Sequence, residues 1–197
     1  MVKRANSLRK VSIARLKQEM QDTVFLSDDL AITTIDYLRN PTSEIPVSLD
    51  GFAAMIMTSG SAELSIDTET YEVHPDMLVF FRPGSIIRTI RCSSDATAYL
   101  VACTKAFVSD IQVDISASLP IHMRFGKKPC LQVNESDVAE IRQFFQLIKT
   151  VILSDKERYR KEIIHTLFTA VFYLITELNQ REQVSEQKRG RCEVLFD

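Results

Sequence analysis

Five glycines in 197 residues leave little room for a glycine-rich phosphate loop, and no G-x-S-x-G, H-E-x-x-H or H-x-H pattern occurs in the chain. Nucleotide binding through such a loop, serine hydrolase chemistry and zinc-peptidase chemistry are therefore not encoded in their usual form. The histidines do not converge: His74 precedes a proline in a turn, His122 follows Pro120 in an irregular stretch, and His165 flanks a helical apolar arc. Each reads as a surface or hydrogen-bonded histidine, and no cofactor or metal site is expected. Cysteine is sparse too. Cys92, Cys103, Cys130 and Cys192 are scattered without a C-x-x-C pair, in a chain long enough to fold without covalent staples, which points to a reducing cytoplasm. Charge of one sign is also missing, because 24 Lys and Arg face 26 Asp and Glu. A chain with net charge −2 lacks the basic excess that drives phosphate-backbone binding, so any contact with DNA belongs to another part of the protein. No apolar run approaches the roughly 20 residues of a membrane span, and the longest candidate, 167–175, is interrupted by Thr169.

Between residues 31 and 115, turn chemistry recurs at short intervals: Asn40-Pro41, Asp50-Gly51, Ser59-Gly60, Asp67-Thr68, His74-Pro75-Asp76, Pro83-Gly84 and Ser93-Ser94-Asp95. Such spacing predicts a sandwich or barrel of short strands. Between the breaks lie 52–58, 62–66, 77–81, 86–91 and 98–103, rich in β-branched, aromatic and Met residues. Several are apolar almost throughout, as expected of strands covered on both faces.

After Lys127-Lys128-Pro129 the apolar period changes from two to about 3.6. Asn134, with Glu135 and Asp137 in the following turn, predicts a helix start, and that helix runs to about Leu153. Ser154-x-x-Glu157 fits a capping box and opens a second helix to about Arg181, antiparallel to the first. Residues 182–197 read as a polar linker. The basic stretch at the front, with Lys3, Arg4, Arg9, Lys10, Arg15 and Lys17 ahead of any acid, reads as a partly helical arm over 1–27, either solvated or touching a neighbouring domain or DNA. It has no apolar segment of the secretory kind. Both helices are apolar over about half their circumference, through Val138, Ile141, Phe145, Ile148 and Ile152 on the first and Leu167, Val171, Leu174 and Leu178 on the second. One partner cannot cover such a face, so the second stripe is expected to form a homodimer interface. The alternative is that both extra faces pack inside the monomer.

At this point the residues carry a resemblance. Gly60-Ser61-Ala62-Glu63-Leu64-Ser65-Ile66-Asp67, followed by Tyr71-Glu72-Val73-His74-Pro75-Asp76 and the apolar run to Arg82-Pro83-Gly84, resembles the cupin-type sensing barrel of AraC-type transcription regulators. The later run from Cys103 through Phe107 to Ile111, and Tyr159-Arg160-Lys161-Glu162-Ile163-Ile164, is similar to members of that family common in Bacteroides-like bacteria. The likeness covers about 28–181 and lies in the order of elements. It implies a jelly-roll barrel at 28–133, a dimerising helical pair at 134–181, and DNA binding through helix-turn-helix motifs that these 197 residues do not include. The metal-binding members of the wider fold place H-x-H before the glycine turn, where this chain has Phe52-Ala53-Ala54-Met55-Ile56-Met57. A histidine after the second turn is replaced by Ser85-Ile86-Ile87.

The expectation is thus an α+β chain, a cupin-like (jelly-roll) β-barrel followed by an antiparallel pair of α-helices. Its expected role is regulatory and non-enzymatic, with a small-molecule effector, no membrane contact, and DNA reached only through another domain. Residues that combine apolar bulk with a polar handle, or flexible bulk, on the strands are the candidate pocket: Tyr37, Met55, Met57, Phe80, Arg88 and Tyr99. Plain barrel core is the alternative for each. The competing functions are a dimerisation module without an effector and, third, a cupin-fold enzyme.

Overall fold

The structure is a computed structural model that describes residues 8–19, 23–36, 45–75, 77–111, 113, 124–125, 127–155 and 157–193. In chain order the elements are β1 (Arg9–Val11), α1 (Ile13–Glu19), β2 (Val24–Leu26), β3 (Leu30–Asp36), β4 (Val47–Leu49), β5 (Phe52–Ser59), β6 (Ala62–Ile66) and β7 (Glu69–Val73). There follow β8 (Met77–Phe81), β9 (Ile86–Cys92), β10 (Thr97–Cys103), α2 (Lys105–Asp110), β11 (Cys130–Gln132), α3 (Glu135–Leu153) and α4 (Arg160–Glu193). The strands form a five-stranded sheet ordered β1-β4-β9-β6-β7 and a six-stranded sheet ordered β11-β8-β5-β10-β3-β2. All pairings are antiparallel except β1 with β4. The fold is therefore α+β, with two sheets in a jelly-roll arrangement and the long helices beside them.

Period-two alternation divides the core in two. Ala53, Met55 and Met57 on β5, Val79 and Phe81 on β8 and Ala98 and Ala102 on β10 meet Leu49, Leu64, Ile66 and Val73 between the sheets. The intervening residues Phe52, Ala54 and Ile56, Leu78 and Phe80, and Tyr99, Val101 and Cys103 face a second core, shared with α3 and α4. Strands that are apolar on both faces can only be buried on both, and the five expected strands lie where β5, β6, β8, β9 and β10 are found.

The first long helix starts as its sequence predicts. The Asn134 side chain accepts from the Asp137 amide at 2.9 Å, and the Asp137 carboxylate accepts from the Asn134 amide at 3.0 Å, a reciprocal capping box. The second does not. Ser154 closes α3, its hydroxyl donating to the Val151 carbonyl at 2.8 Å, and α4 begins only at Arg160. A serine between two helices suits either end, and the sequence does not say which. Nor does α4 stop near Arg181; it continues to Glu193 through the expected linker. That segment lacks apolar periodicity, yet its Glu, Gln, Lys and Arg are good helix formers and it contains no proline.

The front of the chain is bound to the sandwich. Arg9–Val11 adds a parallel strand beside β4, and Val11 and Ile13 are buried in the inter-sheet core, so the arm is no free extension from residue 9 to Glu19. The turn between β5 and β6 rests on Gly60, at φ +67°, where an added Cβ would lie 2.7 Å from the Ala96 Cα and 2.8 Å from its nitrogen. Gly60→Ala should therefore cost about 2 kcal/mol or more, strain and a backbone clash together, read as a lower midpoint in urea denaturation.

Candidate functional site, a phenylalanine-walled cavity between sheet and helix

The helix-facing side of the six-stranded sheet and the inner side of α4 line a half-open cavity of about 180 Å³. Strand residues Phe52, Ala53, Ala54, Phe80, Phe81, Arg82, Val101 and Cys103 form one wall. Val108 and Ile111 at the end of α2, Phe125, Phe145 of α3, and Phe168, Val171, Phe172 and Ile175 of α4 form the rest. Seven of the chain's eleven phenylalanines are gathered here. Phe80 and Phe125 stack at 3.8 Å between ring centres, and behind the wall Phe107 meets Phe168 edge-on at 5.0 Å and His165 at 4.9 Å. Local rules explain the placement. Phe52, Ala54, Phe80 and Val101 fall on the same sheet face by alternation, and Phe168, Val171, Phe172 and Ile175 share one helix face by three-four spacing.

Arg82 stands just after β8 at the cavity's edge and is the one charged side chain in its wall among the described residues. Its guanidinium lies 3.5 Å from Asp67, both about half exposed, and Asp67 also accepts from the Ile86 amide at 2.9 Å. Beyond the Phe80 and Phe125 rings lies a polar cleft with Asp67, Glu69, Tyr71, Ser85 and Lys127. Burial pushes the Cys103 thiol, in the wall, up to about 12. Burial likewise raises Cys130 to about 11, with Lys128 opposing and Glu182 reinforcing the shift. Both thiols are thereby kept protonated, without nucleophilic character. No cluster of three or more His, Cys, Asp or Glu side chains placed to hold a metal ion occurs among the described residues.

Of the residues expected to form a pocket, Phe80 lines this cavity. Tyr99 lies on the same sheet face with the Arg142 guanidinium 5.8 Å from its ring centre. Met55 and Met57 are buried on the opposite face, between the sheets. Arg88 is exposed on β9 of the other sheet, and Tyr37 lies outside the described residues, as does His122. The expected dimer stripe is divided. Val171 and Leu178 are buried within the chain, Val171 in the cavity wall, whereas Leu167 and Leu174 are half-buried. Sequence reasoning missed Phe52, Arg82, Phe125, Phe168 and Phe172. The one available signal for the four phenylalanines was a phenylalanine count high for a chain without tryptophan, and Arg82 had none.

No family model matches the chain, and no curated protein matches it. Among solved structures it is similar to apo ToxT from Vibrio cholerae strain SCE256, at 12% identity and TM-score 0.46, covering 76% of this chain and 56% of that one. It is similar to ToxT from the same strain with an unsaturated fatty acid bound, at 14% identity and TM-score 0.41, covering 78% and 54%. A third is the AraC-like transcriptional activator CuxR, at 14% identity and TM-score 0.43, covering 74% and 52%. The chain thus spans about half the length of these neighbours, an AraC-like regulator among them. No helix of the described residues is long and apolar enough to cross a membrane.

Two outcomes follow from the thiols. Iodoacetamide at pH 8 should label exposed Cys92 and spare buried Cys103 and Cys130, as read by peptide mass mapping of the native protein. Their raised values also mean that the unfolded chain releases these protons first, so stability should fall as the pH climbs above about 9.

Proposed function

We propose that the chain is the effector-sensing and dimerising part of a cytoplasmic AraC-type transcription regulator, without enzymatic activity, and that contact with DNA belongs to a helix-turn-helix region outside these 197 residues. The observation that carries the reading is a cavity walled jointly by a sheet and a long helix. A ligand that touches both can stabilise one docking of helix on sheet over another, and any helix position so selected is available to a domain beyond it.

The same helix carries its own clamp. Arg124 pairs with Glu182, both largely buried, and the other Glu182 oxygen accepts from the Gln132 amide at 3.2 Å. Arg181, next in line, pairs with Asp137 in the first turn of α3. Arg124 adjoins Phe125 of the cavity wall, so displacement of that ring is felt one residue away by the clamp. Asn179, almost fully buried, finds no hydrogen-bond partner for its side-chain amide among the described residues. An amide buried in this way holds the docked position less firmly than a paired one.

A thermal-shift screen over sugars, sterols, fatty acids and aromatic acids tests the sensing role, since a ligand of the folded state raises stability by mass action. Ala54→Leu, which fills the cavity, should abolish the shift. Silence across all classes would leave a dimerisation module without an effector. Glu182→Gln should lower stability by about 3 kcal/mol, because it strands a buried guanidinium, measured by urea denaturation. For dimerisation, Leu174→Glu should yield a folded monomer in sedimentation velocity, whereas Val171→Glu should damage the fold itself, its side chain being internal. A Leu174→Glu protein that stays dimeric places the interface elsewhere.

A further inference from the structure

Resting on the reading of the cavity as an effector site, we infer that its ligand is a small aromatic carboxylate, one ring on a short tail, with the ring among the phenylalanines and the carboxylate on Arg82. Size is the first argument. A cavity of roughly 150 Å³ lined by apolar side chains takes up benzene, so about 180 Å³ admits one ring and two or three further carbons. A sterol or a long acyl chain does not fit this volume. Chemistry disfavours sugars, because among the described residues the wall offers no set of polar side chains to replace the water stripped from several hydroxyls.

The wall itself selects a ring. Aromatic faces are negative and their edges positive, so phenylalanines from strands and helices at different tilts present both to a flat guest and favour edge-to-face and offset contacts over aliphatic ones. Phe80 and Phe125, stacked at 3.8 Å between ring centres, already form one ring-on-ring contact in this wall.

Charge fixes the tail. Arg82 stands where the cavity meets the polar cleft and lines both, and its Asp67 neighbour on the cleft side, 3.5 Å away and half exposed, engages it only weakly. Asp67 is moreover the acceptor for the Ile86 amide and, at 3.4 Å, for the Ser85 hydroxyl. A guanidinium so placed can take a carboxylate in the two-pronged geometry that arginine favours. An ammonium tail would meet Arg82 as a like charge.

The test is isothermal titration calorimetry of the whole chain at pH 7.5 with three probes: 3-phenylpropanoate, its neutral isostere 3-phenylpropanamide, and octanoate, an anion of similar length without a ring. Phenylpropanoate should bind about tenfold more tightly than either comparator, the scale of one hydrogen-bonded charge. Arg82→Gln should erase the preference for acid over amide, and Ala54→Leu should abolish both aromatic probes. Circular dichroism of each variant confirms its fold. Equal affinity for acid and amide, equal affinity for octanoate, or a preference that survives Arg82→Gln would each overturn the inference. Aromatic binding that persists in Ala54→Leu would overturn it too, by placing the ligand elsewhere. Should the aromatic probes fail while another class still gives an Ala54→Leu-sensitive thermal shift, the ligand assignment falls and the sensing role stands. If no class gives a shift, both fall.

Discussion

Apolar side chains on both faces of the six-stranded sheet set the problem that the rest of the chain solves. Strands β5, β8 and β10 carry almost no polar residue that could meet water, so each face needs a cover. The five-stranded sheet covers one face and turns its own polar side outward, as the exposed residues of β7 and β9 record. The helices α3 and α4 cover the other. Most of a helix's stability in a protein comes from packing its apolar face rather than from propensity, so α3 owes its stability to docking. Ile141 and Ile148 on α3 and Ile164 on α4 are fully enclosed by it. Each such side chain contributes roughly 1.5–3 kcal/mol relative to exposure. Helices and sandwich are therefore one cooperative unit, and a change in how α4 docks is a change in the main core.

That cover is incomplete where the phenylalanines gather. Around this half-open gap of about 180 Å³ the phenylalanine rings forgo part of the contact that a filled core would give them. Ala54 faces the gap, and a leucine there would reduce it. A chain under selection for stability alone has an inexpensive remedy and has not taken it.

Much of the fold was legible because it follows from local periodicity. The apolar runs and turn residues located five strands, and Asn134 with Asp137 located the start of α3 to the residue. What escaped was set by pairing across distance. Of the six strands not located, β1, β2, β4 and β11 are three residues each, too short for any alternation to register, and they exist because a neighbouring strand lends them hydrogen bonds; β3 and β7 are longer and were passed over. The site was less legible still. Candidates were sought on strands as if the pocket lay inside the barrel, where Met55 and Met57 in fact pack against the opposing sheet. The cavity lies on the outer face of that strand, and its wall draws on residues from Phe52 to Ile175 that share no motif. Which of two apolar faces keeps a gap depends on the sizes of side chains brought together by folding, and no window of sequence contains that comparison. The stripe Leu167, Val171, Leu174 and Leu178 shows the same limit, since its spacing defines a face without saying what covers it.

The geometry of α4 joins these features into a single mechanical element. Cavity residues Phe168, Val171, Phe172 and Ile175 and clamp residues Arg181 and Glu182 stand on one helix, and at 1.5 Å per residue the clamp lies roughly 10 Å beyond Ile175. A helix is stiff over two turns, so it cannot bend away a push at the cavity and must tilt or slide instead. The clamp residues oppose either movement, while the unsatisfied amide of Asn179 between them favours it. Opposed terms of a few kcal/mol each are the condition for two positions of comparable energy. A ligand then needs to contribute only the small difference. Under the sensing reading, the gap beside α4 and the clamp beyond it are two parts of one device, because a ligand seated in the first changes how the helix rests and the second registers the change.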